Sequence, residues 1–513
     1  MPVAIHDSPP PAPAPAQFNM AAHVLAHAGR HPGKTALEIV GGAAPQSWSY
    51  GALEAAVRGT ASGLRALHGG SLAPGSRILI RLGNTVDFPI LYLAALACDM
   101  VPVPTSAQLT MPEITKLAQI VEPSVIVAAE GVALPQGPWP VITQAELGDM
   151  RALPPSDYAL GDPDRLGYIV FSSGTSGTPR AVCHAHRAVW ARRMMVDGWY
   201  GLGPDDRLLH AGAFNWTYTL GTGLMDPWAI GATALISEEG TPAARLPALL
   251  REHDVTIFAA APGVYRQMLK HPEKFGKGAL RHGLSAGEKL PPAIREAWRG
   301  VTRTEIHEAY GMSECSTFVS GSPADPAPAG TLGRPQPGRR VAVLNPDGAP
   351  APRGAPGQLA ISRGDTGLML GYLGDPASTS EKFSGSWFLT GDMAQMDETG
   401  AVSYLGRDDD LMNAGGFRVS PLEIEEVLAL CPGIVECAAA EVEVRPDVSV
   451  IAAFYVSAAP ITEETLAAHC ADRLAAYKRP RLYVRLEALP RGANNKLLRR
   501  TLRSVHSLKG QTP

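Results

Sequence analysis

The sequence has no C-x-x-C pair. Its six cysteines, Cys98, Cys183, Cys315, Cys431, Cys437 and Cys470, are scattered. They offer neither a zinc site nor a disulfide framework, and they fit a reducing cytoplasm. A membrane span is also missing. The longest apolar stretch, near residues 90–103, is broken by Asp99 and Pro102. No basic segment leading into an apolar core opens the chain, so no signal peptide is expected and a cytoplasmic location is. Positive charge is not in excess: 45 Lys and Arg stand against 49 Asp and Glu, for a net charge of −4. That excludes a global field drawing the chain to nucleic acid. No internal repeat is visible. What remains is ordinary for a globular protein: 513 residues, 45% hydrophobic and 18% charged. The length allows two or more domains with large cores.

The most informative stretch runs from Tyr168 to Arg180. Tyr168, Ile169, Val170 and Phe171 form a strand-like apolar run. Then come Ser172, Ser173, Gly174, Thr175, Ser176, Gly177 and Thr178, all Gly, Ser or Thr, and then Pro179 and Arg180. Glycines let backbone N–H groups approach a phosphate, and hydroxyls add donors. The stretch is not the P-loop of NTPases, because no Gly-Lys-[Ser/Thr] follows. By composition alone it fits a flexible linker as well. Its position after a buried-type strand favours the phosphate.

Residues 1–17 are rich in Pro and Ala and predict a disordered or extended tail. Strand-like runs follow at 77–82, 101–104, 124–128 and 167–171, with a helix expected over 84–97. Further short β-like runs lie at 207–210, 232–236, 256–259 and 282–285. Strands alternating with helices predict an α/β fold with parallel, doubly wound sheets. From about residue 330, Gly and Pro become dense. The short strands at 341–344, 357–362 and 401–404 predict a small antiparallel or barrel-like unit. Ser420, Pro421 and Glu423 read as N-cap, first helical residue and returning capping-box partner. Gly433 closes that helix. A strand at 449–456, a helix at 462–476 and a half-exposed strand at 481–486 complete a small α+β unit from about residue 411. The intervening Asp408, Asp409 and Asp410 are too polar for a core and read as a hinge at 408–410. The expected domains are therefore 18–407 and 411–513.

Phe171 to Arg180 resembles the phosphate-binding signature of the adenylate-forming superfamily, which includes acyl-CoA ligases, peptide-synthetase adenylation domains and luciferases. Four further segments resemble that family's motifs, in its order. They are Leu284-Ser285-Ala286-Gly287-Glu288; Glu308-Ala309-Tyr310-Gly311-Met312-Ser313-Glu314; Leu389-Thr390-Gly391-Asp392; and Gly406-Arg407-Asp408-Asp409-Asp410 followed by Gly415-Gly416-Phe417-Arg418. A last match is Pro490 to Lys496. The resemblance spans about residues 18–503 and is nearest to benzoate-type and medium-chain acyl-CoA ligases. Two positions depart from it. Arg180 stands where the family usually has Lys, and Asn495 where it has Gly.

The resemblance implies ATP, Mg²⁺ and coenzyme A as cofactors, and an AMP-forming ligation of a carboxylic acid. Ser172 to Thr178 would hold the leaving phosphates. Ala286, Gly287, Glu288, Glu308, Ala309, Tyr310, Gly311, Met312 and Ser313 would form the adenine side. Glu314 would hold Mg²⁺, a hard cation that takes carboxylate oxygen. Asp392 would take both ribose hydroxyls with Arg407 beside it, and Lys496 would bridge the acyl carboxylate and the α-phosphate. Asp409 matches the pivot. Gly415 and Gly416 would line a thiol tunnel, with Tyr477, Arg479 and Arg481 near CoA. Each has a plainer reading. Glu314 is a solvated loop carboxylate, Asp392 a turn former, and Lys496 an exposed residue beside Arg499 and Arg500 on a solvated face. Arg479 and Arg481 could be ordinary edge-strand charges.

The acyl pocket is expected at Phe214, Asn215, Trp216 and Tyr218, which could equally be core. Peptide-synthetase domains place an Asp after the Phe to bind an ammonium. Here Asn215 argues against amino acids and for an aromatic or medium-chain acid. Loading of a carrier-protein thiol stays open, as does a homodimer. A nucleotide-binding protein with degenerate chemistry is the rival from another class.

Overall fold

The computed structural model describes residues 2–42, 46–67, 72–172, 179–407, 410, 412–414, 417–445, 448–474, 478–492 and 497–506. The chain forms two compact units. The larger holds His6–Arg340 and Ile361–Phe388; the smaller holds Met1–Ile5, Val341–Ala360 and Leu389–Pro513.

The larger unit is α/β and doubly wound, as expected. Its main sheet has nine strands, in the order Arg334–Pro335, Ser316–Ser320, Glu305–Met312, His282–Ala286, Ile257–Ala260, Arg207–His210, Thr233–Ser237, Thr35–Val40 and Gln46–Ser49. The six strands from Glu305–Met312 to Thr35–Val40 are mutually parallel. Side chains alternate between the two faces, and both faces are covered. Leu208 and Ile257 enter one apolar cluster, while their neighbours Leu209 and Phe258 enter another. That two-sided burial explains why these strands read as short continuous apolar runs. A second parallel sheet, Val101–Pro104, Arg77–Arg81, Val125–Ala128 and Val141–Thr143, obeys the same rule. Ile78 and Val127 face one cluster, Leu79 and Ile126 the other. A three-stranded antiparallel sheet carries Leu166–Ser172, Arg180–Ala185 and Gly371–Tyr372.

In the smaller unit Trp387–Met396 pairs with Val402–Arg407. The sheet they belong to also holds Ile5–Asp7, Arg340–Leu344 and Pro356–Ser362. A three-stranded sheet of Ile434–Arg445, Val448–Ser457 and Leu482–Arg485 follows, with helices Pro421–Ala429, Glu463–Ala471 and Arg499–His506.

Three local expectations need correction. The opening residues are not a loose tail throughout: Ile5–Asp7 is a strand, Ala4 N–H donates to Ala351 O at 2.7 Å, and Ala12 O accepts from Trp190 Nε1 at 2.8 Å. Composition cannot see backbone partners more than 170 residues away. The helix expected from residue 84 begins at Asp87, because Asn84 is engaged elsewhere, as described below. Ser420 does cap its helix, accepting from Leu422 N at 3.2 Å. Glu423, however, pairs with Lys478 instead of turning back. An ammonium is a stronger partner for a carboxylate than a neutral N–H.

Candidate active site

Ser172 and Arg180 lie opposite each other in the antiparallel pair that brackets the Gly/Ser/Thr loop. The hairpin therefore brings the loop's two ends together. Ser173, Gly174, Thr175, Ser176, Gly177 and Thr178 lie outside the described residues. Arg180 stacks over Tyr372, with its guanidinium carbon 5.1 Å from the ring centre.

The adenine-side segments meet by register. Ser285 is level with Glu308 and Ala286 with Ala309, on adjacent parallel strands. Both strands end at the carboxyl edge of the sheet, where ligands of open α/β folds bind. Gly287 follows with φ +93°, and a Cβ there would lie 2.8 Å from Trp216. Glycine is therefore needed for both conformation and space. Gly311 allows the next turn: a Cβ would lie 2.2 Å from Ser316 O. The chain folds back there, from Glu305–Met312 into Ser316–Ser320, and presents Ser313 and Glu314 at the turn. Tyr310 packs edge-on to Phe318, and Glu288 is half-buried.

Glu308 has a different occupation from the one expected. Its carboxylate accepts from Leu290 N at 2.7 Å and pairs with Arg295 at 3.3 Å. It ties down the turn after Gly287, and burial pushes its pKa up to about 7. Glu314 is 8% exposed, not a solvated loop carboxylate. Its Oε1 accepts from the Tyr372 hydroxyl at 2.8 Å, and its backbone oxygen accepts from Met369 N at 2.8 Å.

The expected acyl residues divide. Phe214 is core: it is 1% exposed, packs on Phe88 at 5.6 Å, and donates its N–H to Asn84 Oδ1 at 2.9 Å. Asn84 also donates to Gly212 O at 2.9 Å. Tyr218 is buried and donates to Leu284 O at 3.1 Å. Trp216 stands edge-on to Tyr218 at 5.2 Å, and Trp216 and Asn215 are half-buried. The neighbouring Thr217 lines a narrow cavity with Tyr92, Tyr168, His184, Arg192 and Met312, with room for roughly one water. His184 is a residue that the motifs did not single out. Its Nε2 meets Ser313 O at 2.7 Å, its ring stacks on Tyr168, and burial lowers its pKa to about 4. The nitrogen facing the carbonyl must carry the proton. His184 Nδ1 and Tyr92 Oη are buried and, among the described residues, have no partner.

The smaller unit brings Asp392 and Arg407 level on adjacent strands. Asp392 Oδ1 accepts from Tyr404 at 3.2 Å and lies 3.8 Å from Arg407 Nε. Asp392 N–H donates to Thr390 Oγ1 at 3.1 Å, and Gly391 has φ +83°. Asp409, Gly415, Gly416, Tyr477 and Lys496 lie outside the described residues. The flanks of the Lys496 loop are joined: Arg491 bridges Leu497, and Leu498 N donates to Pro490 O at 2.9 Å. Arg499 is not on a solvated face. It makes two bonds to Glu425, at 2.8 and 2.7 Å, and lies 3.7 Å from Asp410. Arg479 donates to Leu474 O and Ala471 O, at the carboxyl end of helix Glu463–Ala471. Arg481 is exposed.

Comparison with known proteins agrees with this geometry. Residues 24–373 match the family model described as AMP-binding enzyme, and residues 423–496 its C-terminal domain. The chain is 30% identical to a benzoate–CoA ligase of Thauera aromatica, covering 98% of this chain and 99% of the relative. It is 29% identical to a 3-hydroxybenzoate–CoA ligase of Aromatoleum sp. (strain CIB), covering 91% and 93%. Crystal structures of a benzoate CoA ligase from Burkholderia xenovorans LB400 superpose with a TM-score of 0.86 at 29% identity, covering 95% of this chain and all of that one. With the strands flanking the Gly/Ser/Thr loop, the Gly287 turn and Glu314 in one unit, and a family match over most of its length, this chain belongs to the AMP-binding enzyme family.

Proposed function

We infer that the protein is an AMP-forming acid–thiol ligase that activates an aromatic or medium-chain carboxylic acid with ATP and passes it to coenzyme A. The carrying observation is that the Ser172/Arg180 hairpin reaches the turn after the Ala309 strand: His184 meets Ser313 O, and Tyr372, under Arg180, meets Glu314. In the first half-reaction the acid's carboxylate attacks the α-phosphate and pyrophosphate leaves. In the second the CoA thiol attacks the acyl-adenylate and AMP leaves. Both steps gather negative charge, so positioning and charge neutralisation dominate. Ser172 to Thr178 hold the leaving phosphates, the segments Ala286 to Glu288 and Glu308 to Ser313 flank the base, Asp392 with Arg407 holds the ribose, and Lys496 meets the developing charge. Asp409 is the pivot on which the part from residue 411 onward turns, and Gly415 and Gly416 then make room for pantetheine. Tyr477, Arg479 and Arg481 lie toward the CoA nucleotide.

Mg²⁺ fits the residues present. Among the described residues no cluster of three His, Cys, Asp or Glu could hold an ion alone. Glu314 offers one carboxylate. Mg²⁺ commonly takes one or two carboxylates and completes its shell with substrate phosphates and water. Glu314 would hold it, and the ion would neutralise phosphate charge.

The aromatic or medium-chain assignment is supported by the half-buried Trp216 and by the substrates named for the relatives. Met225 and Met312 in the cavity wall are unbranched and can repack around an acid. No helix among the described residues is long and apolar enough to cross a membrane, and six cysteines outside any disulfide fit a reducing cytoplasm. Carboxylate-dependent pyrophosphate release, measured over benzoates, C4 to C8 acids and α-amino acids, tests the reading; the aliphatic range reflects roughly 0.8 kcal/mol per buried CH₂. Aryl or medium-chain acids are expected to have the highest kcat/KM. An α-amino acid ranking first would overturn it, since a buried ammonium lacking a carboxylate is strongly penalised. Supplying CoA or a carrier protein as acceptor separates the two thiol readings.

A further inference from the structure

The expected loop lysine is an arginine here, and the fold gives that arginine a specific neighbour. Strand Arg180–Ala185 pairs with Gly371–Tyr372, placing Tyr372 level with Val182. Leu370 N donates to Cys183 O at 2.8 Å and Leu373 N to Ala181 O at 2.9 Å. The strand that begins at Arg180 thus fixes the backbone on both sides of Tyr372. The Arg180 guanidinium lies over the phenol, 5.1 Å from its centre. A planar cation stacks on such a ring where an ammonium would be a point charge. The hydroxyl of the same phenol donates to Glu314 Oε1 at 2.8 Å. Glu314 and Tyr372 are 8% and 6% exposed, so this contact is shielded from water and strong. Met369, three residues before Tyr372, also holds the Glu314 backbone.

We propose that Tyr372 is a positioning residue for the metal-binding carboxylate, linking Glu314 to the cation that ends the phosphate loop. The phenol holds one carboxylate oxygen and so aims the other at the ion. Arg180 orients the phenol from its face. Metal capture by Glu314 and phosphate capture by the loop therefore share one support. This rests on the reading of Glu314 as the Mg²⁺ ligand.

The test is a Mn²⁺ titration of the full-length protein with a non-hydrolysable ATP analogue, read from the electron paramagnetic resonance signal of free Mn²⁺. Tyr372→Phe removes only the hydroxyl and should weaken Mn²⁺ binding roughly tenfold, the scale of one lost hydrogen bond to a charged group. Arg180→Met should weaken it less, roughly threefold, on the cation–π scale. Glu314→Gln should weaken it most. In pyrophosphate release, the Mg²⁺ concentration for half-maximal rate should rise in Tyr372→Phe while KM for the acid stays put. A purely structural hydroxyl would lower the unfolding midpoint and leave the metal response unchanged. Wild-type Mn²⁺ affinity in Tyr372→Phe, with weak binding in Glu314→Gln, overturns the proposal alone. Unchanged affinity in Glu314→Gln removes the metal assignment and the proposal with it. If Tyr372→Phe does not fold, Arg180→Met carries the test by itself, and an unshifted titration of that variant overturns the proposal.

Discussion

The two units hold their functional groups in different ways. In the larger, the candidate site gathers at strand ends, and hydrogen bonds to neutral groups hold its polar groups: Glu314 by Tyr372, Glu308 by Leu290 with Arg295 beside it, His184 by Ser313. In the smaller, charge does the holding. Asp392 sits beside Arg407, and Arg499 joins Glu425 to Asp410 next to the expected pivot. A site on strand ends inherits the rigidity of a two-sided core. A site held by ion pairs depends on every partner keeping its charge. The units also differ in histidine. Six histidines whose pKa values desolvation lowers to about 3 or 4, the half-buried His23 and the buried His184, His186, His210, His282 and His307, all belong to the larger unit. All eight tryptophans fall within that unit's residues, although Trp387 opens a strand whose remainder belongs to the smaller unit, so tryptophan fluorescence reports chiefly the larger unit.

The sharpest test of the contrast is kinetic. Lys496→Ala should abolish adenylate formation by on the order of 10² to 10³, the scale of a lost transition-state charge contact, and spare thioester formation from supplied acyl-adenylate. Asp409→Pro should do the reverse, since proline fixes φ and a pivot must change it. Equal losses in both half-reactions for both variants would mean that the smaller unit serves them in one orientation.

Arg499→Ala leaves the half-buried Glu425 without its cation, with Ala439 N–H still bonded to it, and should cost about 2 kcal/mol. Amide exchange should loosen helix Pro421–Ala429 and strand Ile434–Arg445, while the tryptophan transition holds its midpoint. A matching shift in tryptophan fluorescence would show that the two units unfold as one.

A smaller effect per residue is expected from acid. The six histidines have folded pKa values near 3 or 4 against 6.5 unfolded. Below pH 6.5 the unfolded chain binds the extra protons. Their contribution is therefore complete above 6.5 and is lost as pH falls toward 4. The loss is about 1 kcal/mol per histidine at pH 5.5. Glu308, raised to about 7, opposes this by one group, losing stability as pH rises. Tryptophan fluorescence should show the larger unit weakening between pH 6.5 and 4.5. A flat response would mean that these rings have solvent access.

Much of this was legible in residue order. The strand-loop-strand around Ser172, the alternation of short apolar runs with helices, and the Ser420 cap follow from local rules of hydrogen bonding and side-chain spacing. The glycines at Gly287 and Gly311 were also visible, although their reasons were not: Trp216 and Ser316 O approach too closely for any Cβ.

The remainder turned on partners far along the chain. Glu314 and Tyr372 are 58 residues apart, and Arg499 and Glu425 are 74 apart. Residue order names chemistry that a local segment can present: a hydroxyl, a carboxylate, a glycine. It is silent on which distant group takes up each hydrogen bond. Desolvation settles that on folding, because a buried donor or charge must find its partner wherever packing brings one. Thus Phe214 became core while Thr217 reached the cavity, Glu308 tied down a turn, Arg479 met the end of a helix, and Arg180 found a ring.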